Sequence, residues 1–291
     1  MATLAPITIE IPAEAKPSDA EIDVFGVTHT GLVRKENQDH FLLSSLHKEM
    51  IVHGTSLPDL ARVPQRSERL AFIGMVADGV GGSAAGARAS ELTIAAVAEY
   101  VTHSAIAYYA MDTNNEDRFL ETLRESAATA HQAVLDAHLA EPGHKTPATT
   151  LTLGIWVWPR AYILQVGDSR AYVYRGGQLH RITRDQTFAE DMVDRGALTP
   201  EQAVTSPLRN VLSSAIWSSL APPVVTRATS TRDSVWMLCS DGLTKHVTDE
   251  GIAERLATIT SSEHACRALL QDALDAGGTD NVTILIGKVR S

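Results

Sequence analysis

Short apolar stretches recur along the chain at residues 23–27, 70–77, 150–158, 162–166, 171–174, 235–239 and 282–286. They are rich in β-branched and aromatic residues and bounded by Gly, Asp or Pro, the pattern of strands. Between the second and the third lie two longer stretches with helical spacing: 87–110, and 116–139, where Phe119, Leu123, Ala127, Ala130 and Val134 fall on one face. Asn115 stands where the second helix needs a cap. Further helices are predicted at 201–204, 250–257 and 264–276, the last closed by Gly277. Thr199-Pro-Glu-Gln has the form of a capping box with proline at the first helical position. Trp158-Pro-Arg and Arg175-Gly-Gly-Gln are tight connections between strands, which predicts antiparallel neighbours and argues against a doubly wound parallel sheet.

No low-complexity linker or fixed-period repeat divides the 291 residues. The economical reading is one α+β domain over 21–291, preceded by a loosely ordered extension at 1–20. With 25 Lys+Arg against 35 Asp+Glu the net charge is −10, so neither nucleic acid nor an anionic membrane surface is the expected partner. The most membrane-like stretch, 92–111, is interrupted by Glu99 and His103 and reads as a core helix. Cys239 and Cys266 lack disulfide or zinc spacing, and the first twenty residues lack the apolar core of a signal peptide. A cytoplasmic protein is expected, and a monomer, since no oligomerisation segment is visible.

The chemistry-bearing pattern is the placement of aspartates at strand ends. Asp78 follows 70–77, Asp168 follows 162–167, Asp241 follows 235–240, Asp280 precedes the last strand, and Asp39 precedes Phe41-Leu42-Leu43. Carboxylates that converge from several strands stay ionised only if cations neutralise them, and hard oxygen donors select Mg²⁺ or Mn²⁺. Taken singly, Asp78-Gly79 and Asp241-Gly242 also read as ordinary hairpin corners. After Asp78, however, the chain runs through a glycine-rich loop into a helix and not into a returning strand. Such a loop allows close backbone approach to a ligand; it has no lysine and no nucleotide-binding glycine pattern, so a metal cradle using the Gly79 carbonyl fits better.

These residues resemble the metal-dependent protein phosphatases of type 2C, in their bacterial branch. The resemblance rests on Gly31-Leu-Val-Arg-Lys-Glu-Asn-Gln-Asp39, Val76-Ala-Asp-Gly-Val-Gly-Gly82 with Gly86, Val166-Gly-Asp-Ser-Arg170, Arg209-Asn-Val-Leu212, Leu238-Cys-Ser-Asp-Gly-Leu-Thr244 and Gly278-Thr-Asp-Asn-Val-Thr283, in the family's order from about residue 23 to the end. It implies a four-layer α-β-β-α sandwich, two antiparallel sheets flanked by helices, with a metal centre at one end. By motif position Asp78 bridges two ions, Asp241 and Asp280 complete the first, and the Gly79 carbonyl serves the second, with Asp39 acting through water. Asp168 with Asp241 holds a weaker third ion, and Arg34 binds phosphate, where for an isolated arginine a surface salt bridge is the plain alternative. The implied activity is hydrolysis of phosphoserine and phosphothreonine in proteins by a metal-activated water, opposing a Ser/Thr protein kinase. The implied partners are phosphorylated proteins, a kinase or its targets among them.

Some positions depart from the family's commonest residues: Gln38 for glutamate, Val80 and Ser83 for histidines, Gln186 for histidine and Ser214 for arginine. The leaving-group acid is therefore unassigned. A cysteine phosphatase is the rival enzyme, but Cys239 sits on an apolar strand beside acidic Asp241 and reads as core. The eleven histidines show no ligand spacing and none is assigned to the metal site. The rival to any enzyme is an inactive phosphatase-fold binding module, which is expected to lose metal aspartates; none is lost here. Two segments are expected to shape substrate choice: a mobile flap at 188–206 beside the active site, and a long insertion at 44–68 whose apolar residues Met50, Ile51, Val52, Leu57 and Leu60 predict packing on the domain, bordering the catalytic face.

Overall fold

A computed structural model describes residues 14–59, 63, 66–81, 84–104, 116–140, 146–217 and 223–290. In one sheet the order is β1 (Ile22–His29), β11 (Val282–Val289), β10 (Val235–Cys239), β7 (Arg170–Arg175) and β8 (Gln178–Arg181). In the other it is β2 (Asp39–Leu46), β3 (Ala71–Val80), β5 (Leu151–Val157), β6 (Arg160–Val166) and β9 (Val224–Thr229), with the short β4 (Ala148–Thr149) on the end of β3. These pairings are antiparallel, as the tight connections require.

Pleating sends alternate side chains to opposite faces, and here both faces are covered, which is why the strands read as unbroken apolar runs. From β3, Ile73 and Met75 pack with Leu153, Tyr162 and Leu164 against α1 (Ala84–His103) and α2 (Glu116–Ala140), through Val97, Phe119, Leu123 and Val134. Val76 points the other way and meets Ile163, Trp236, Leu238 and Leu285 between the sheets. From β10, Met237 and Cys239 then pack against α6 (Asp249–Ala257) and α7 (Ser262–Asp275), through Ile252, Leu256, Cys266 and Leu269. The result is the expected α-β-β-α layering.

Local signals explain the helix ends. Thr199 and Gln202 form the capping box of α4 (Pro200–Thr205), and α7 ends at Asp275, C-capped by Ala276 with Gly277 next at φ +119°. α1 begins three residues before the expected start; it ends at His103, and residues 105–115, Asn115 included, lie outside the described set. β3 runs through Asp78 to Val80 where an end at Ala77 was expected, because pairing with β2 and β4 continues past the apolar run. β9, Val224-Val225-Thr226-Arg227-Ala228-Thr229 on a sheet edge, neither alternates nor forms a long apolar run, so its own pattern does not predict a strand. No helix among the described residues is long and apolar enough to cross a membrane.

Among its described residues, the 44–68 insertion does not border the site. β2 starts at Asp39 and runs to Leu46, so the connection to β3 leaves from the far end of the strands, roughly 20 Å from the aspartates. It is pinned at its base by the Glu49–Arg66 bridge and by Ser67 N donating to Lys48 O at 2.8 Å. Met50, Ile51 and Leu57 are exposed, against the expected packing, Val52 is half-buried, and Leu60 lies outside the described residues. The same distal end anchors the start of the described chain: Trp158 Nε1 donates to Glu14 O, Arg69 pairs with Asp19, and Arg232 pairs with Glu21.

Candidate active site

Antiparallel register places Asp39, the first residue of β2, opposite Asp78 in β3. Asp168 occupies the turn between β6 and β7, Asp241 opens the short α5 (Asp241–Thr244) after β10, and Asp280 precedes β11. Strands of both sheets thus deliver carboxylates to one end of the sandwich. Asp168, Asp241 and Asp280 line a surface pocket together with Arg34, Arg209 and Lys245, while Asp39 is 3% exposed beneath them.

Two close backbone approaches make this possible. A Cβ on Gly79 would collide with the Gly86 carbonyl, so only glycine lets the end of β3 meet the start of α1. A Cβ on Gly242 would collide with the Asn281 carbonyl, so glycine lets α5 lie against the start of β11, bringing Asp241 near Asp280. Of the loop that follows Gly79, Gly82 and Ser83 lie outside the described residues.

Hydrogen bonds orient the acids. Asp39 Oδ2 accepts from Ser240 Oγ at 2.7 Å and Thr283 Oγ1 at 2.8 Å, while its buried Oδ1 has no hydrogen-bond partner. Asn281 accepts from Gln38 N through Oδ1 and donates through Nδ2 to the Thr30 and Glu36 carbonyls, fastening the loop that carries Arg34 onto β11. Gln186 Oε1 accepts from Gly167 N at 2.7 Å and Gln186 N donates to Gly167 O at 3.0 Å, clamping the turn that presents Asp168. The glutamine that departs from the family's histidine therefore has a positioning contact beside the site.

The electrostatics divide the cluster. Burial pushes the Asp39 carboxyl up to about 7, against hydrogen bonds from Ser240 and Thr283 and with help from repulsion by Asp241 and Asp280. Asp168 is likewise pushed up to about 7, first by burial and then by Asp241 and Asp185. Asp78, partly open at its surface yet ringed by protein, is raised well above the ordinary range by desolvation and by Asp39, Asp241 and Asp168. Asp280 behaves oppositely: burial works upward, but hydrogen bonds from Arg34 and Lys245 hold it below its usual value. Arg34 Nε lies 2.8 Å from Asp280 Oδ1 and Nη2 donates to Oδ2 at 2.9 Å. Lys245 Nζ lies 2.6 Å from Asp241 Oδ2 and 2.7 Å from Asp280 Oδ2.

Lys245 was not singled out from the sequence; its place four residues after Asp241, at the end of a short helix, was the available signal. Among the described residues no three carboxylate, imidazole or thiolate groups already close around one point. The donor set nevertheless fits a hard divalent cation. All candidate ligands are oxygens, one buried carboxylate oxygen of Asp39 lacks a partner, and Asp39, Asp78 and Asp168 resist ionisation without added positive charge. Thr187, Ala189, Glu190, Ala203 and Val204, on and beside α3 (Phe188–Asp194) and α4, also line the pocket.

A family model described as Protein phosphatase 2C matches residues 48–276. The serine/threonine protein phosphatase PstP of Mycobacterium tuberculosis is 36% identical over 215 residues, which are 74% of this chain and 40% of PstP. The chain thus spans well under half the length of that relative. A crystal structure of the Mycobacterium tuberculosis serine/threonine phosphatase PstP/Ppp superposes with a TM-score of 0.73 at 30% identity, covering 93% of this chain and 99% of the other. A structure described as the catalytic domain of PstP in complex with two manganese ions superposes with a TM-score of 0.70 at 29% identity, with the same coverage of 93% and 99%.

Proposed function

The chain belongs to the protein phosphatase 2C family, and on that premise we propose that it hydrolyses phosphoserine and phosphothreonine esters in proteins with Mg²⁺ or Mn²⁺. The observation that carries the reading is the register pair Asp39–Asp78: two enclosed carboxylates face each other, both pushed toward protonation, one with a buried oxygen lacking a partner. The two manganese ions of the PstP catalytic-domain structure support two core ions here; a weaker third rests only on the motif position of Asp168. Asp78, Asp241 and Asp280 would hold the first ion, Asp78, the Gly79 carbonyl and Asp39 through water the second, and Asp168 with Asp241 the third. When bound, the ions supply the positive charge that offsets the phosphate dianion and activates the attacking water.

The chain's own residues do the rest. Ser240 and Thr283 hold Asp39 through one oxygen and leave the other buried and unpaired, available to a cation. Gln186 fixes the Gly167 turn and with it the reach of Asp168. Arg34, 46% exposed at the pocket mouth, exchanges its fork on Asp280 for two oxygens of the phosphate. A thiolate nucleophile has no place in this reaction, because burial pushes both Cys239 and Cys266 up to about 12.

Substrates in this reading are phosphorylated proteins, in line with the similarity to PstP, a serine/threonine protein phosphatase; a Ser/Thr protein kinase or its targets are among those the motif resemblance implies. The protein acts in the cytoplasm as a monomer; two buried free thiols suit a reducing compartment. The test is Mn²⁺-dependent phosphate release from para-nitrophenyl phosphate and from a phosphothreonine peptide. Release abolished by a chelator and restored by Mn²⁺ is expected, and no release from either substrate at saturating Mn²⁺ overturns the reading.

A further inference from the structure

The carboxylates of the site are not equally bare. Asp280 receives Arg34 on both oxygens, Lys245 on Oδ2, and the Asn281 N–H on Oδ1 at 3.0 Å. Asp241 Oδ2 receives the same Lys245 ammonium. Among the described residues no ion pair reaches Asp39, Asp78 or Asp168. One half of the cluster is therefore neutralised by the chain itself, and the other half is left for added charge.

Lys245 is built into this place. It caps α5, its backbone N–H donates to the Asp241 carbonyl at 2.8 Å, and its side chain returns along the helix to the Asp241 carboxylate one turn back. Gly242 presses that helix against Asn281, which sets Asp280 within reach of the same ammonium. An ammonium between two carboxylates offers them what a divalent cation offers, positive charge at hydrogen-bond distance, and the two cannot hold the same oxygens at once.

We propose that Lys245 is an internal counter-ion that competes with the divalent cation for Asp241 and Asp280, so that the first ion enters only as the ammonium is displaced toward the phosphate pocket. The inference rests on the metal-centre reading above and adds to it a residue that lowers ion affinity while stabilising the ion-free protein. It orders loading: the Asp39–Asp78 side, which no cationic side chain pairs among the described residues and which Lys245 and Arg34 reach only at longer range, takes an ion more readily than the Asp241–Asp280 side. The displaced ammonium, beside Arg34 in the same pocket, then adds a positive charge where phosphate arrives.

The experiment compares the parent, Lys245→Met, which keeps the apolar stem without the charge, and Lys245→Arg, which keeps the charge. Mn²⁺ affinity is read by electron paramagnetic resonance of free Mn²⁺ and by calorimetry, and ion-free stability by thermal melting. In Lys245→Met the first-site Kd should fall by about tenfold or more, since an opposite charge at this distance shifts carboxylate equilibria by one or more decades. Its ion-free Tm should fall at the same time, and Lys245→Arg should stay near the parent in both. A residue with only a packing role would lower Tm and weaken Mn²⁺ binding together, so unchanged or weaker affinity in Lys245→Met overturns the proposal. Should Lys245→Met fail to fold, Lys245→Gln is read in the same way. If the parent itself binds no Mn²⁺, the metal-centre reading falls and the proposal with it; if parent and variant bind alike, only the role of Lys245 falls.

Discussion

Asp39 and Asp78 are cross-strand neighbours in the β2–β3 ladder, so their carboxylates are held on the same face of the sheet at its catalytic end. Like charges in this arrangement oppose each other and burial opposes both. Folding therefore works against ionisation here, and an added cation relieves it.

A pH dependence follows for the ion-free protein. Burial pushes the Asp39 carboxyl from the ordinary aspartate value of 3.8 up to about 7, so the native state holds this proton to higher pH than the unfolded chain does. Its contribution is fully favourable below about pH 4 and is lost as pH rises through about 7. Asp39→Asn, which never ionises, should melt above the parent at pH 8 in chelator, with the gap closing toward pH 5. A gap that stays constant between those pH values contradicts the burial assignment.

Asp78→Asn should lower kcat by on the order of 10²–10³-fold at saturating Mn²⁺ while leaving the circular dichroism spectrum near that of the parent. One neutralised carboxylate weakens both core ions, and asparagine nearly matches the shape of aspartate. Comparable kcat values for variant and parent would remove Asp78 from the centre.

Asp168 and Asp241 should separate in a metal titration. Asp241→Ala removes a proposed first-site ligand and should cost a high-affinity Mn²⁺ site in calorimetry. Asp168→Ala should keep both tight sites and lose activity only. Loss of a tight site in the Asp168 variant would reverse the assignment.

The flap should act on protein substrates more than on small ones. Val204 is 70% exposed on α4 yet belongs to the pocket wall, a position suited to peptide side chains beside the phosphate. Val204→Asp should raise KM for a phosphothreonine peptide several-fold and leave para-nitrophenyl phosphate turnover within about twofold. Equal effects on the two substrates would make the flap a fixed wall.

Shortening the insertion between Met50 and Gln65 should leave kcat/KM for para-nitrophenyl phosphate and for a phosphothreonine peptide unchanged, because the loop leaves the sandwich at its opposite end. The exposed Met50, Ile51 and Leu57 should instead make the parent's solubility the sensitive quantity. A several-fold loss of peptide turnover would show that the loop reaches the site.

The residue order by itself determined much of this protein. Apolar runs with β-branched and aromatic residues specify strands locally, the Thr199 box and Gly277 specify helix ends, and tight turns between strands require antiparallel pairing, so seven strands, the principal helices and the α+β class were legible. The aspartates at strand ends were legible only as a set: each Asp-Gly alone also reads as a hairpin corner, and it is their recurrence at several strand ends, in the order of the family's motifs, that singles them out. What only the tertiary structure decided depends on partners distant in sequence. Asp39 meets Asp78 through register, and strand direction sends the 44–68 loop away from the site. Edge strand β9 exists because β6 offers it a free side, not because its own pattern demands it. Beyond its place four residues after Asp241, nothing in the local sequence marks Lys245; only Gly242, pressed on Asn281, brings Asp280 to the ammonium that Asp241 also holds. Local sequence encodes backbone preference and burial; which charges face each other is settled only when sheets, turns and helices close on one another.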